Sequence, residues 1–513
     1  MATETQVIGA WILILLYMVV IIFIVIKGAA KVKSISDYAL GNILFSPYAV
    51  GLSLAASMTS AATFVINPGF IANFGISGVI SYGIALPIAA VVSLALLTKK
   101  FRKHGETVKA LTLAQWIGKR YNSKAYSLFM AFLSLLLLTF IVLIIVAIVK
   151  VIATALNANP IWVLTFVVVF VFGYMMFGGA NSMVYTNTIQ ALIMLAVAFV
   201  LLISGVRFFD EGISGFVEQL REIDPLLASA TNPSSPLFRN FYEIIFAQVI
   251  VGIAIVVQPH IITKSLLLKK ESDVGKFLVT AIIIQMIFFL VVFAGLYARL
   301  TFPDLTINGA PLTIDSIIPA YVVYIFGDNI LAVIIGLIVV LGLISAGIST
   351  LEGLIQSVST SITSDIILPL IGQKDYHQKT LIRINKGAII ALGLAAWVVA
   401  RDQILDPNLS VAILAQNGVY AYFSAAFIPV IFGIFVKNVA AYIPFAASVT
   451  AAVVHFTVFF GLEPLVLAGW DFGFFNQFLV GPVKNPAIAS STAIVISSLL
   501  AIALLIFKRK KTQ

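Results

Sequence analysis

The chain has 513 residues, of which 61% are hydrophobic and only 10% are charged, and its mean hydropathy is +1.10. A soluble protein of this length cannot bury so much apolar surface, so the composition indicates a polytopic membrane protein. The net charge of +10 does not call for a nucleic-acid partner, because basic loops serve as membrane anchors. The lack of cysteine excludes disulfides and thiolate metal sites, and the four histidines are too scattered to bind a metal.

Thirteen apolar segments are long enough to cross a bilayer, which takes about 20 residues per helix. The predicted spans are 6–26, 44–66, 76–98, 124–153, 160–178, 186–206, 240–262, 275–298, 328–358, 384–400, 408–436, 440–462 and 486–507. The first has no basic segment before it and no cleavage site after it, so we interpret it as a retained leading helix and not as a signal peptide. The loops are too short for an enzymatic domain, so any chemistry must lie in the helices.

The distribution of basic residues predicts the orientation. With the N-terminus outside and thirteen crossings, 24 of the 31 Lys and Arg residues fall in inside segments and six fall outside. This bias is what the positive-inside rule expects. We therefore predict an N-out, C-in topology.

Two spans carry signs of interruption. The second span contains the tract at 55–63, which is almost wholly small and hydroxylated, and "NPG" at 67–69 interrupts it. Such a weak helix is typical either of an unwound stretch whose carbonyls can bind a cation or of close packing between small residues. In the seventh span, Pro259 ends the apolar run, and this marks either a break or simply a helix terminus.

The second and seventh spans lie five apart, so interruptions in both point to an inverted repeat with a binding site near the midplane. The two five-span halves would be 44–206 and 240–436, and two trailing helices would follow within 440–507. The whole of 1–513 would then form a single domain. The repeat is too divergent to be seen directly in the sequence.

The ninth span is the most polar. On a helix of about 100° per residue, its polar side chains share one stripe about 40° to either side of Ser345, and small residues form a second face. The stripe consists of Ser345, Ser349, Glu352, Gln356, Ser359 and Thr363. Polar groups inside a membrane are costly, so this stripe must face a cavity or another helix. The alternative is that the hydroxyls bond to their own helix and the small face serves only packing.

Polar residues also mark two further spans. In the eleventh, Gln416 and Tyr420 lie four residues apart and define a polar face, with Asn417 beside Gln416. The segment "GGANSMVYTNTIQ" at 178–190 predicts a turn entering the sixth span, with Asn187 in the first helical turn.

These motifs, taken together, resemble the solute:sodium symporter family over nearly the whole chain. "SDYALGN" at 36–42, "ASMTSAATF" at 56–64, "FGGANSMVYTNTIQ", "VQPH" and "SAGISTLEGLIQS" stand in the family's order. The resemblance implies a LeuT-like fold, in which a five-plus-five inverted repeat follows one leading helix and precedes two trailing helices.

The resemblance also implies two sites. One sodium ion would be held between the second and ninth spans, and the solute would lie between the second, seventh and eleventh. The implied sodium ligands are the carbonyls of Ala56, Thr59 and Ala346 and the hydroxyls of Ser349 and Thr350. The implied solute-binding residues are Ser60, Gln258, Gln416 and Asn417.

Two departures from the family pattern remove negative charge. Met58 and Asn187 stand where members often have aspartate, which puts a second sodium in doubt. Glu352 then has two open interpretations: it is a proton-titrating coupling group, or it pairs with a cation of an inside loop.

We therefore predict a sodium-coupled symporter of the cell membrane that imports a small organic solute by alternating access. The solute would be a monocarboxylate or would resemble pantothenate or proline, because the pocket helices offer amides, hydroxyls and apolar surface but no Arg or Lys. Na⁺ is the only predicted ion, with no cofactor and no obligate protein partner. The alternative is a proton-coupled carrier of the same fold that uses Glu352. An embedded enzyme would need a nucleophile–base pair or a metal cluster, and accumulation against a gradient would exclude a channel.

Overall fold

The computed structural model describes residues 2–327, 329–372, 376–406 and 411–512, and these are almost entirely helical. Four predicted segments include residues outside these ranges: the ninth span at 328, the eleventh at 408–410, the half 240–436 at 328, 373–375 and 407–410, and the single domain 1–513 at these positions and at 1 and 513.

Within the described residues, ten helices are long and apolar enough to cross a bilayer, and two bent helix pairs add up to two more spans. The ten helices are Glu4–Ala29, Ile76–Gly105, Lys124–Leu156, Pro160–Phe209, Glu271–Thr301, Ile330–Ile371, Gln378–Leu405, Val411–Phe435, Tyr442–Leu467 and Pro486–Lys508. The bent pairs are Pro47–Met58 with Ala62–Phe74, and Tyr242–Ile255 with Pro259–Leu267. The predicted class, an all-α polytopic membrane protein, is therefore confirmed.

The fifth and sixth predicted spans form one continuous element with a sharp kink. The helix Pro160–Ile203 has 44 residues, and at 1.5 Å per residue it would be about 66 Å long, roughly twice the hydrocarbon thickness. Gly179, with φ 60° and ψ −163°, is the one residue with non-helical dihedrals inside it. The helix resumes directly afterwards, so Asn187 lies two turns into the sixth span and not in its first turn. The count of thirteen and the N-out orientation stay predictions.

Both predicted interruptions are real bends. The second span bends by 54° and the seventh by 55°, so Pro259 marks a break and not a terminus. In the second span the helix ends at Met58, and Thr59 and Ser60 are extended or turned. The "NPG" sequence does not make this break, because Pro68 lies inside the second half-helix, Ala62–Phe74, in which a π-helical turn at Ala62–Ile66 continues directly into Asn67–Phe74.

The helix Ile330–Ser361 lies at the centre of the molecule. Asn329 caps its start by accepting a hydrogen bond from the Ala332 N–H at 2.9 Å, and almost every residue from Val339 onward is buried. It packs most extensively against Pro160–Ile203 and against Lys124–Leu156. By contrast, the leading helix Glu4–Ala29 exposes a face of large apolar side chains, as a peripheral span facing lipid should.

Short elements connect the spans. The longer of these helices are Ile35–Leu40, Leu113–Arg120, Gly212–Ile223 and Ile317–Ile325. A two-stranded antiparallel hairpin pairs Thr306–Ile307 with Ala310–Pro311. These elements lie away from the two bends. The polar residues of the core are gathered at the bends.

Candidate functional site

The polar face of the ninth span meets the break of the second span. The Ser349 hydroxyl donates to the carbonyl oxygen of Ala56 at 2.9 Å, and the Thr350 hydroxyl donates to the carbonyl of Ser57 at 3.0 Å. Helix Pro47–Met58 ends within two residues, so these carbonyls lack the N–H groups that a continuing helix would bring. The side chains of the ninth span satisfy them instead.

Ala346 completes this group of oxygens. Its carbonyl lies 3.2 Å from the Ser349 hydroxyl and 3.4 Å from the Thr350 hydroxyl, and Thr350 is also 3.4 Å from the Ala56 carbonyl. Four of the five predicted sodium ligands are therefore gathered, and all four are fully buried. Neutral carbonyl and hydroxyl oxygens at an unwound helix are the ligands that transporters offer to Na⁺. We call this group, formed by Ala56, Ala346, Ser349 and Thr350, the oxygen cluster.

Thr59, the fifth predicted ligand, is engaged elsewhere through its side chain. Its hydroxyl accepts a hydrogen bond from the Gln285 amide at 2.6 Å, which ties the break to the helix Val274–Leu290. The carbonyl of Thr59, which is the group that the sequence predicts as a ligand, accepts no hydrogen bond from Ser349 or Thr350 in the described structure. Its role as a ligand stays a prediction.

A cavity lies next to the oxygen cluster, between the second, third, fourth, seventh, eighth and eleventh spans. Its lining includes three of the four predicted solute-binding residues, Ser60, Gln258 and Gln416. The rest of the wall is largely apolar or aromatic, with Tyr82 and Tyr420 among the contributors. A mostly apolar cavity with a few convergent polar groups is the usual form of a small-molecule site. We call it the central cavity.

The break in the seventh span leaves two polar atoms without partners in the described structure. Gln258 donates its amide N–H to the Ile255 carbonyl at 3.2 Å, but its amide oxygen accepts nothing. Nδ1 of His260 is likewise unpartnered, and both side chains are at most 3% exposed and line the central cavity. A buried polar atom without a partner is costly, so these two atoms are suited to meet a polar ligand.

Asn417 does not line the central cavity, contrary to the prediction. Its amide oxygen lies 2.8 Å from Nε2 of the buried His455 in the helix Tyr442–Phe456. Gln416, its neighbour in the helix, lines the cavity, whereas the Asn417 side chain is directed toward His455. It joins the eleventh span to a trailing helix.

Glu352 lies at the centre of a second polar cluster and is fully buried. The Tyr174 hydroxyl donates to its Oε1 at 2.5 Å, and the Thr186 hydroxyl donates to its Oε2 at 2.7 Å. The amide orientation that satisfies every neighbour of Asn187 places its nitrogen 2.8 Å from Oε2. Three donors thus converge on this carboxylate.

The same amide connects Glu352 to a lysine. The Asn187 oxygen accepts a hydrogen bond from Nζ of Lys264 at 3.0 Å, while Nζ also donates to the carbonyl and the hydroxyl of Ser53 at 2.9 and 2.6 Å. Lys264 is only 3% exposed, and it lies in the segment Pro259–Leu267 after the seventh-span break. From the sequence we assign Lys264 to an inside loop and do not predict its burial. The only sequence signal for its place on the broken helix is its position four residues after His260.

Among the described residues, two other carboxylates are buried in spans, near helix ends. Glu243 pairs with Arg239 at 2.8 Å, and Asp365 accepts hydrogen bonds from Thr112 at 2.6 Å and from Gln115 at 2.9 Å. Glu352 differs from both because it lies mid-helix, beside the oxygen cluster.

Similarity to known proteins identifies the protein family of this chain. Residues 38–450, well over half of the chain, match the sodium:solute symporter family. The chain belongs to this family. Its members are transporters, so this chain is a transporter and not an enzyme, as the sequence predicted.

Curated relatives of the symporter cover most of its length. It is 26% identical over 475 residues to the sodium/pantothenate symporter of Escherichia coli, a match that spans 88% of this chain and 92% of the relative. It is 24% identical over 489 residues to sodium/proline symporter 2 of Staphylococcus saprophyticus, spanning 92% and 90% of the two chains.

Solved structures show the fold of the symporter. A Na⁺-coupled sialic acid symporter superposes with a TM-score of 0.74 at 16% identity, covering 96% of this chain and 98% of the other. Mhp1, a nucleobase-cation-symport-1 family transporter, gives a TM-score of 0.50 at 15% identity over 93% and 95% of the two chains. Both are LeuT-fold transporters, so the predicted fold is confirmed. The symporter is a multi-pass membrane protein with Na⁺ as its coupling ion.

Proposed function

We propose that this symporter imports a small organic solute together with Na⁺, with the ion in the oxygen cluster and the solute in the central cavity. The observation that carries the proposal is the meeting of the Ser349 and Thr350 hydroxyls with the carbonyls freed at the second-span break. An Na⁺ ion there would replace the hydroxyl-to-carbonyl hydrogen bonds with ion–oxygen contacts. It would thereby fix the bent second span against the ninth.

The ion and the solute are coupled through the break itself. Ala56 contributes to the oxygen cluster, and Ser60, four residues later, lines the central cavity. Ordering the break with Na⁺ therefore orders one wall of the solute site, which tightens solute binding. By linkage, bound solute tightens Na⁺ binding by the same factor.

The two halves of the chain, 44–206 and 240–436, form the proposed inverted repeat. Each begins with a span that bends by 54° or 55°, and both bends border the central cavity. Alternating access would then move the bent spans against the rest of the bundle around a fixed central site.

The chemistry of the central cavity favours a solute with hydrogen-bond donors on an apolar body. The Gln258 amide oxygen is an acceptor without a partner, and its natural complement is an N–H or O–H group of the solute. No Lys or Arg lines the cavity among the described residues, which disfavours a multiply charged anion. Pantothenate and proline both carry such donors together with one carboxylate, and they are the solutes named for two relatives. A simple monocarboxylate has no donor for Gln258 and is the weaker candidate.

Proton coupling through Glu352 is the second candidate, and the structure offers it little support. Three hydrogen-bond donors converge on this carboxylate, and the Lys264 charge reaches it through Asn187. All of these groups stabilise the ionised carboxylate and oppose the effect of its full burial, which favours the neutral acid. Uptake by proteoliposomes in sodium-free buffer, driven only by an inward proton gradient, would establish the proton-coupled alternative.

The test of the proposed function is uptake of radiolabelled solutes by proteoliposomes containing the purified symporter. Pantothenate, proline, lactate, glucose and sialic acid form the panel, each with an inward Na⁺ gradient and with K⁺ in its place. We expect Na⁺-dependent accumulation of pantothenate or proline and none of glucose. Accumulation that is equal in Na⁺ and K⁺ would refute sodium coupling, and accumulation of glucose alone would refute the solute class.

A further inference from the structure

Lys264 connects elements that alternating access must move apart. It lies on the half-helix after the seventh-span break, and its ammonium group donates to both oxygens of Ser53 on the first half of the second span. Through Asn187 it also reaches Glu352 on the ninth span. One side chain therefore joins the two bent spans to each other and to the sixth and ninth spans.

A second, narrow cavity lies beside this connection, toward the side predicted to face the cytoplasm. Lys264 and Gly353 contribute to its wall, together with His260, which also lines the central cavity. The path from the central cavity to this inner cavity therefore runs past His260 and Lys264.

Burial explains why the connection holds. Glu352 and Asn187 are fully buried, and a lone ion in such a place would be strongly disfavoured. Removing one charge leaves its partner uncompensated, whereas a bridging amide lets each ion keep a hydrogen-bonded neighbour. Any motion that carries Lys264 away from Asn187 must therefore expose both charged groups to water or to new partners.

The connection also contacts the oxygen cluster. The Ser57 carbonyl accepts from the Thr350 hydroxyl at 3.0 Å, while the Ser57 hydroxyl lies 2.8 Å from the Asn187 amide oxygen. Loosening the oxygen cluster therefore disturbs the residue that supports the Asn187 bridge.

We propose that Lys264, Asn187 and Glu352 form an ion-pair latch, bridged by the amide, that keeps the inner cavity closed to the cytoplasm. The latch supplies the positive charge for Glu352 from within the chain, so that carboxylate needs no second free cation. The inner cavity opens when the half-helix Pro259–Leu267 withdraws Lys264 from Asn187.

The absence of cysteine from the chain provides a clean test. Ser357, a partly exposed residue of the inner cavity wall, is changed to cysteine as a reporter. Its labelling by a membrane-impermeant maleimide is measured in inside-out vesicles without Na⁺ or solute, and is normalised to labelling after denaturation. We expect Lys264→Met, Glu352→Gln and Asn187→Ala each to raise the labelling rate at least about threefold. The double variant Lys264→Met/Glu352→Gln should show no more than the larger single effect, because either change alone opens the latch.

The matched control is Lys270→Met, which removes an exposed lysine on the same side of the chain and should leave labelling unchanged. Lys264→Arg keeps the charge and should label like the parent. If Lys264→Met does not purify as a monodisperse protein, Asn187→Ala, which leaves both charges in place, decides the matter alone. Unchanged labelling in Asn187→Ala, or single effects that multiply in the double variant, would overturn the latch. The assay requires no transport, so its failure is distinguishable from failure of the proposed function.

Discussion

The hydroxyl of Ser349 donates a hydrogen bond to the carbonyl oxygen of Ala56, 2.9 Å away, across the break in the second span. This contact places a hydroxyl of the ninth span where an interrupted helix leaves a carbonyl unsatisfied. The sodium proposal depends on this relationship, and it predicts different outcomes for hydroxyls on the same helix.

Removal of either cluster hydroxyl should weaken sodium coupling. We expect Ser349→Ala and Thr350→Ala each to raise the Na⁺ concentration for half-maximal uptake at least about tenfold, because each removes one oxygen ligand and about 1.4 kcal/mol or more of ion binding. Ser359→Ala is the matched control, since its hydroxyl donates to the carbonyl of Gln356 at 3.3 Å and adjoins Tyr38, away from the oxygen cluster. If all three changes raise the required Na⁺ concentration equally, the loss of any hydroxyl from this helix impairs uptake, and the ion site loses its support.

Gln416 and Asn417 should separate function from stability. Gln416→Ala, in the central cavity wall, is expected to raise the KM for the solute with little change in thermal unfolding. Asn417→Ala leaves the buried His455 without its partner, so it should lower stability by about 1–3 kcal/mol while the KM stays near that of the parent. Uptake kinetics and thermal unfolding in detergent measure the two effects. A large change in KM in Asn417→Ala with unchanged stability would show that Asn417 does contribute to solute binding.

A substitution at Thr59 tests whether its carbonyl oxygen or its hydroxyl oxygen contributes to Na⁺ binding. Thr59→Ala keeps the carbonyl but removes the hydroxyl that accepts from Gln285 at 2.6 Å. The expected result is reduced thermal stability, by about 1 kcal/mol or more, with the Na⁺ requirement changed less than about twofold. Sodium-dependence curves of uptake check this, and a shift as large as that of Ser349→Ala would identify the hydroxyl as a ligand.

Gly179 should be far less tolerant of substitution than Gly173 in the same helix. A Cβ on Gly179 would lie 2.8 Å from the Tyr38 carbonyl oxygen, and its φ of 60° with ψ of −163° is open essentially to glycine alone. We expect Gly179→Ala to cost about 2 kcal/mol or more and to reduce the yield of folded protein. Gly173→Ala meets nothing within 4 Å and should be neutral or slightly stabilising. Expression and thermal unfolding of the pair measure the difference, and equal behaviour would refute the strained kink.

Helical periodicity identified the face of the ninth span because its polar residues recur at intervals that only one face of a helix can satisfy. It could not place Asn417, because the partner of that side chain is His455 on a trailing helix, which no pattern within the eleventh span reveals. Pro259 located the seventh-span break, and the small, hydroxylated tract at 55–63 located the second-span break, whereas "NPG" lies inside the half-helix Ala62–Phe74 and makes no break.

Lys264 shows the limit of composition-based interpretation. A lysine at the end of an apolar run usually lies in a loop or extends to the interface. The hydrogen-bond partners of Lys264 are Ser53 and Asn187, which lie 211 and 77 positions earlier in the chain, so the sequence does not reveal them. The sequence left open a salt bridge between Glu352 and an inside-loop cation; the structure places the Asn187 amide between Glu352 and Lys264, which only the three-dimensional arrangement could show.

Binding of radioactive sodium to the purified symporter tests the central claim most directly, because it requires no knowledge of the solute. The oxygen cluster predicts saturable binding to the parent protein and to Ser359→Ala, and loss of that binding in Ser349→Ala and Thr350→Ala when all four proteins are equally folded. Sodium binding that persists unchanged in both cluster variants would contradict the account.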